Sequence, residues 1–309
     1  MTQTLILMYH RICARTLSTR CWFERGTAVD PEVAAAQINW LCPHVRFLRL
    51  SDAVDELFGD RTAADERPAC VVTLDDGYRD ALGLRALDVP LTLFPVADHL
   101  AESARLLFFD EYYSLLHSAQ IRGPVSLAGT GLETSTGPSP ADDLRWWVRG
   151  PMKEALHTTQ GNARDHLLGV LRERLDAPSI PSPSSLYLSR SELRALLGTG
   201  HEIGGHGTSH QRLAGVGPET LQREVAGAAA LLDSLGASRR RAFCWPDGSV
   251  DHSAEEEARR RGFHSACAVT EGAADGGSPR WRLPRILMRN VLPGAAQWPG
   301  ALQSVGAAR

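Results

Sequence analysis

Residues 4–9 (Thr-Leu-Ile-Leu-Met-Tyr), 70–74 (Cys-Val-Val-Thr-Leu) and 89–96 (Val-Pro-Leu-Thr-Leu-Phe-Pro-Val) are short apolar runs with little polar alternation. Strands buried on both faces read this way, so each run predicts a strand of a covered parallel sheet. Between them the period changes. Asp30-Pro31 offers an N-cap and a first helical residue, which predicts a helix to about Leu41. Leu48 to Leu57 predicts a short strand and a helix. Further on, Ser189-Arg-Ser-Glu192 is a capping box that opens a helix ending near Gly198. Leu221, Val225, Ala228, Leu232 and Leu235 form one apolar stripe, which predicts a helix over 219–235. Strands are predicted at 241–245, 264–269 and 282–288, with a helix capped at Ser253 and stopped by Gly262. Strand and helix in alternation predict an α/β fold with a parallel sheet.

The alternation stops between 99 and about 187, and this stretch reads as an insertion into a single domain spanning 1–309. It is predicted to hold a helix at 106–116 and a mobile Gly- and Pro-punctuated loop at 122–140. Two amphipathic helices follow, at 143–156 and 162–175, with a stiff connector at 176–184. Phe108, Phe109, Tyr112, Tyr113, Trp146 and Trp147 are concentrated here, and most are expected to pack the insertion onto the body. Residues 13–29 read as loop and those beyond about 293 as a loose tail.

Composition narrows the classes of function. The chain has 309 residues, 43% hydrophobic and 22% charged, with 33 Lys and Arg against 36 Asp and Glu. A net charge of −3 leaves no basic excess to attract nucleic acid or an anionic membrane. No apolar run is long enough to span a bilayer, and the N-terminus reads as a first strand rather than a signal peptide. A cytoplasmic protein is expected. The six cysteines form no Cys-x-x-Cys pair, and reduced core thiols are expected.

Two places carry chemistry. The run Val71–Leu74 delivers Asp75 and Asp76 to the C-terminal end of its strand, the edge where reacting groups collect in α/β folds. Adjacent carboxylates repel and lose water on burial, and a divalent cation is the usual compensation, although Asp-Asp-Gly also ends strands as a plain turn. The second place is His206-Gly-Thr-Ser-His210, whose glycines favour a loop or the first turn of a helix. Two imidazoles and one carboxylate with a position left open make a hydrolytic metal site. His10, just past the first strand, reads as either a structural hydrogen-bonder or a participant.

At this point the chain resembles the polysaccharide deacetylase (NodB-homology, carbohydrate esterase 4) superfamily. Thr73-Leu-Asp75-Asp76-Gly77 is similar to its Thr-Phe-Asp-Asp-Gly motif, and Gly200-His-Glu-Ile-Gly-Gly-His206-Gly-Thr-Ser-His210 to its second motif. Phe243-Cys-Trp-Pro246-Asp-Gly248 resembles the Phe-Ala-Tyr-Pro-Tyr-Gly form of the third. The resemblance covers about 1–98 and 185–290. It implies a distorted (β/α) barrel and metal-dependent amide hydrolysis. By it Asp75 is the general base, Asp76, His206 and His210 hold the metal, most simply zinc, and the backbone N–H of Asp247 serves the oxyanion. Cys244 stands where the commonest form has Arg, and Leu283-Pro-Arg285 lacks the usual general-acid His. One branch carries a Tyr-His near the N-terminus, which Tyr9-His10 resembles, so His10 is the implied general acid. Arg285 is a candidate for orienting or tuning Asp75, against a plain salt bridge.

The function implied is removal of an N-acetyl group from an amino sugar or related small metabolite. The alternatives are an N-formyl or cyclic-amide substrate on the same site, or an inactive binding protein. No nucleic acid or membrane partner is expected.

Overall fold

A computed structural model describes residues 3–307 except 64, 133 and 179. In chain order the elements that shape the site are β1 (Thr4–Tyr9), α1 (Arg20–Arg25), α2 (Pro31–Leu41), α3 (Leu50–Leu57), β2 (Ala69–Asp76) and β3 (Leu91–Pro95). Then come α4 (Phe108–Ser118), α5 (Leu144–Arg149), α6 (Pro151–Thr158), α7 (Gly161–Arg174) and α8 (Arg190–Gly198). The last group is β4 (Glu202–Ile203), α9 (Pro218–Leu235), β5 (Arg241–Cys244), α10 (His252–Arg260), β6 (Phe263–Glu271), β7 (Leu283–Leu287) and α11 (Gly300–Ala307).

The strands pair in the order β5-β6-β7-β1-β2-β3-β4, all parallel, and a short strand at Arg46–Phe47 also pairs with β2. A parallel bridge between Gly205 and Phe243 joins the two ends, so the sheet is a nearly closed barrel. Gly204 permits this closure. A Cβ there would lie 2.4 Å from the Phe94 ring and 2.7 Å from the Ala242 carbonyl oxygen, so only glycine lets the backbones approach. Every residue of β2 is buried, as its unbroken apolar run requires. The α9 stripe is likewise buried. Asp30 caps α2, and Ser189 with Glu192 caps α8.

The insertion has a core of its own. Phe108, Tyr112, Leu116, Trp147, Met152 and Leu171 pack together and recruit Cys21 and Trp22 from α1. Residues 13–29 are therefore not simply loop: burial of Trp22 holds a helical turn, and Ala28–Val29 pairs with Arg11–Ile12. The helix expected over 143–156 is two, because Pro151 cannot donate into the preceding turn and Gly150 leaves the helical region. The 122–140 stretch contains a short antiparallel pair, Val125–Ser126 with Thr136–Gly137. The cap of α10 is Asp251, which accepts from the Ala254 N–H, rather than Ser253. The expected loose tail is also corrected. Trp298 and Leu302 are buried in the main core, and Trp298 packs edge-on against Trp40 at 5.6 Å. All six cysteines are free, and four of them are buried.

One barrel residue gives a pH prediction. Glu202 Oε2 accepts from the Ser51 N–H at 2.9 Å and hydroxyl at 3.0 Å, while buried Oε1 has no partner among the described residues. Burial pushes its carboxyl from 4.5 up to about 7, against the pull of the Ser51 hydrogen bonds. The folded state thus keeps a proton that the unfolded chain releases, and stability falls as pH rises from 4.5 to about 7. Urea unfolding across this window should show a flatter pH dependence for Glu202→Gln than for wild type.

Candidate active site

The site sits at the C-terminal edge of the barrel, where β1, β2, β4 and β5 all end. At the end of β2, Asp75 turns inward and meets Arg285 from β7. The guanidinium donates to both carboxylate oxygens, each at 2.8 Å, and again to the Ala268 carbonyl at 2.9 Å. Arg285 is fully buried and Asp75 is 3% exposed, so this is an interior bidentate ion pair. Burial by itself would raise the Asp75 pKa, but Arg285 overrides it and holds the carboxyl well below the usual range. Cys244 Sγ lies 3.1 Å from the Arg285 guanidinium and 3.6 Å from Asp75, so a small side chain at 244 leaves room for the arginine.

Asp76, the next residue, has a left-handed backbone, with φ 68°, and its Oδ1 faces His206 and His210 instead of Arg285. His210 and Asp247 share this conformation, with φ 59° and 52°. Backbone strain of about 1–3 kcal/mol per residue is characteristic of sites over-determined by their surroundings. The 206–210 segment is a loop and not a helix. Buried Glu224 on α9 holds it by accepting from the Thr208 N–H at 3.0 Å, the Ser209 N–H at 2.9 Å and the Ser209 hydroxyl at 2.7 Å. The Ala97 and Asp98 N–H groups donate to Gly207 and Thr208 carbonyls and tie the loop to the end of β3.

Asp76, His206 and His210 are brought together. Asp76 Oδ1 lies 3.5 Å from His206 Nε2 and 3.4 Å from His210 Nε2, and all three side chains are buried. His206 Nδ1 is engaged by the Cys244 carbonyl at 2.8 Å, which aims Nε2 at Asp76. Buried Asp76 Oδ1 has no hydrogen-bond partner among the described residues. Burial pushes His210 down to about 4, so its ring is neutral at pH 7. Burial also opposes charge on His206, but Cys244 and Asp76 hold a proton there, and a cation would displace it. Two imidazole nitrogens and one orphaned carboxylate oxygen fit a divalent ion of the zinc type.

Beside this cluster is a cavity of about 70 Å³, lined by His10, Asp76, His210 and Asp247 with the aromatic rings of Trp22, Tyr78, Phe109 and Tyr113. His10 Nε2 is 3.9 Å from Asp75 Oδ2. Asp247 occupies the Pro246–Gly248 turn after β5. His201, in contrast, accepts the Leu91 N–H at 3.1 Å.

Two residues of the insertion escaped sequence reasoning. His157 on α6 lines the cavity and bonds Asp247 at 2.7 Å. Asp110 on α4 is fully buried and accepts from Tyr78 at 2.7 Å, Tyr187 at 2.5 Å and Trp22 Nε1 at 2.9 Å. Burial raises its carboxyl to about 7 despite the tyrosine hydroxyls. Neither stands in a motif. The only signal was the aromatic concentration around them, which reads equally well as ordinary core.

Residues 146–266 match the family model described as polysaccharide deacetylase. This span holds His206, His210 and Asp247, begins inside the insertion, and leaves Asp75 and Asp76 outside. No curated protein matches the chain. Among solved structures, the chain is similar to the Streptococcus pyogenes deacetylase PplD in complex with acetate, with TM-score 0.61 and 15% identity over 98% of both chains. It is similar to IcaB from Ammonifex degensii, with TM-score 0.55 and 14% identity over 93% of this chain and 92% of that one. A de-N-acetylase from Aggregatibacter actinomycetemcomitans gives TM-score 0.56 and 13% identity over 98% and 99%.

Proposed function

We propose that this chain, which carries a polysaccharide deacetylase domain with the NodB-type barrel, is a metal-dependent hydrolase that removes the N-acetyl group from an amino sugar. One observation carries the reading. Asp76, His206 and His210 converge with an orphaned carboxylate oxygen, while adjacent Asp75 has both oxygens paired with Arg285. When bound there, a divalent ion supplies Lewis acidity and lowers the pKa of an attacking water.

The chain's own residues take the remaining roles. Asp75, kept ionised, is the base that takes the water proton. His10 beside it donates a proton to the departing nitrogen. The Asp247 N–H, set in a left-handed turn, stabilises the oxyanion. The aromatic walls exclude water from the acetyl methyl group. A cavity of about 70 Å³ is well below the roughly 300 Å³ of a typical small-molecule pocket. It suits an acyl group, with the sugar ring at its mouth. The walls supplied by α4 and α6 favour a single amino sugar or a chain end over the interior of a polymer. Free, mostly buried thiols favour a reducing compartment such as the cytoplasm.

Acetate release from N-acetylglucosamine and from its oligomers tests this. Activity should vanish on treatment with a chelator and return with zinc. A chain that binds no divalent ion and releases no acetate would sink the proposal.

A further inference from the structure

The cavity wall is not built by the barrel alone. His157 reaches it from α6, and its Nδ1 donates to Asp247 Oδ2 at 2.7 Å. Arg212 Nε donates to the same oxygen at 2.9 Å, and Arg212 Nη1 donates to Glu154 Oε1, also on α6, at 3.2 Å. The helix is thus fastened twice to the Pro246–Gly248 turn. Phe108 packs edge-on against the imidazole, with ring centroids 5.0 Å apart at 83°. Packing and the hydrogen bond to Asp247 therefore fix the ring. With Nδ1–H given to Asp247, the neutral imidazole presents Nε2 as an acceptor. Among the described residues no protein group takes this nitrogen. His157 and Asp247 both line the cavity, 7% and 22% exposed at their side chains, so the pair borders the space at whose mouth a ring too large for the cavity must sit.

We propose that His157, with Asp247 behind it, is a specificity residue for the sugar ring: Nε2 accepts a hydrogen bond from a ring hydroxyl next to the acylated nitrogen. The inference rests on the amino-sugar reading above. It gives the insertion a role in recognition, and it gives the Asp247 side chain a use separate from that of its backbone N–H. Asp247 fixes the tautomer, and the hydrogen bonds from His157 and Arg212 hold Asp247 ionised and in place.

The test is His157→Asn in the zinc-loaded protein, with Asp247→Asn as a second variant. Asparagine retains an amide that can bond Asp247 but ends short of the Nε2 position. Steady-state kinetics are measured on N-acetylglucosamine and on N-cyclohexylacetamide, which has the ring and the amide but no hydroxyls. For the sugar, KM should rise about tenfold, the equivalent of one hydrogen bond of about 1.4 kcal/mol, with kcat within threefold. For the cyclohexyl amide both constants should stay unchanged, as should zinc content and Tm. Asp247→Asn, which keeps the backbone N–H, should lower kcat/KM for the sugar relative to that for the cyclohexyl amide, whatever its effect on the absolute rates. Equal losses on both substrates, or a loss confined to kcat, would overturn the assignment. If wild type releases acetate from neither compound, the hydrolase reading fails by itself. Saturation-transfer NMR with N-acetylglucosamine then reads the inference directly, and equal sugar signals from wild type and His157→Asn would overturn it.

Discussion

Arg285→Met is expected to destabilise the metal-free protein by about 3–5 kcal/mol, the cost of leaving one member of a buried ion pair without its partner. The guanidinium is fully buried and makes two 2.8 Å contacts with Asp75, and no second cation is hydrogen-bonded to that carboxylate among the described residues. Without Arg285, burial would dominate and raise the Asp75 pKa. The direction of the pH effect follows. In wild type the depressed Asp75 pKa contributes stability above its unfolded value near 3.8, which is lost only as pH falls through the lower folded value. In the variant this contribution disappears, and stability near pH 7 suffers most. Guanidinium unfolding at pH 7 and pH 4, with chelator present, measures both effects. Adding Asp75→Asn to Arg285→Met removes the uncompensated charge, so the double variant should be more stable than Arg285→Met alone. A double variant no more stable than the single would mean that the arginine's packing, and not the charge pair, carries the effect.

Asp75→Asn is expected to lower kcat by about 10²- to 10⁴-fold, the range for removal of a general base. Zinc content should be retained, because Asp76, His206 and His210 form the cluster without Asp75. The asparagine leaves Arg285 buried against a neutral acceptor, so some stability is lost too, and activity must be measured well below the melting temperature. Zinc analysis and single-turnover acetate release on the same preparation separate the base from the metal site. Wild-type turnover by Asp75→Asn would remove Asp75 from the chemistry and transfer the base role to another group.

Much of the barrel was legible because its signals are local. Unbroken apolar runs of strand length at 4–9 and 70–74 read as strands covered on both faces, and both are. The Asp30-Pro31 and Ser189–Glu192 caps fix helix starts through hydrogen bonds within three residues. Local signals failed where the deciding partner was distant. Trp22 makes a helix of an apparent loop because Asp110 and the insertion core wait for it. Trp298 docks against Trp40, so a stretch that reads as a tail is core. Arg285 could be suspected of serving Asp75, but no pattern in sequence separates an interior ion pair from a surface one.

The amino-acid sequence by itself determined the strands, the main helices and the types of group available for chemistry, because hydrophobic period, capping and motif spacing act over a few residues. Only the tertiary structure decided which groups meet. Barrel closure through Gly205 and Phe243 brings the loop of His206 and His210 to the end of β2, Arg285 from β7 takes both oxygens of Asp75 and leaves Asp76 to the imidazoles, and an insertion with no motif of its own places His157 on Asp247. Those contacts join residues far apart in sequence, and burial together with charge compensation, rather than any local preference, selects them.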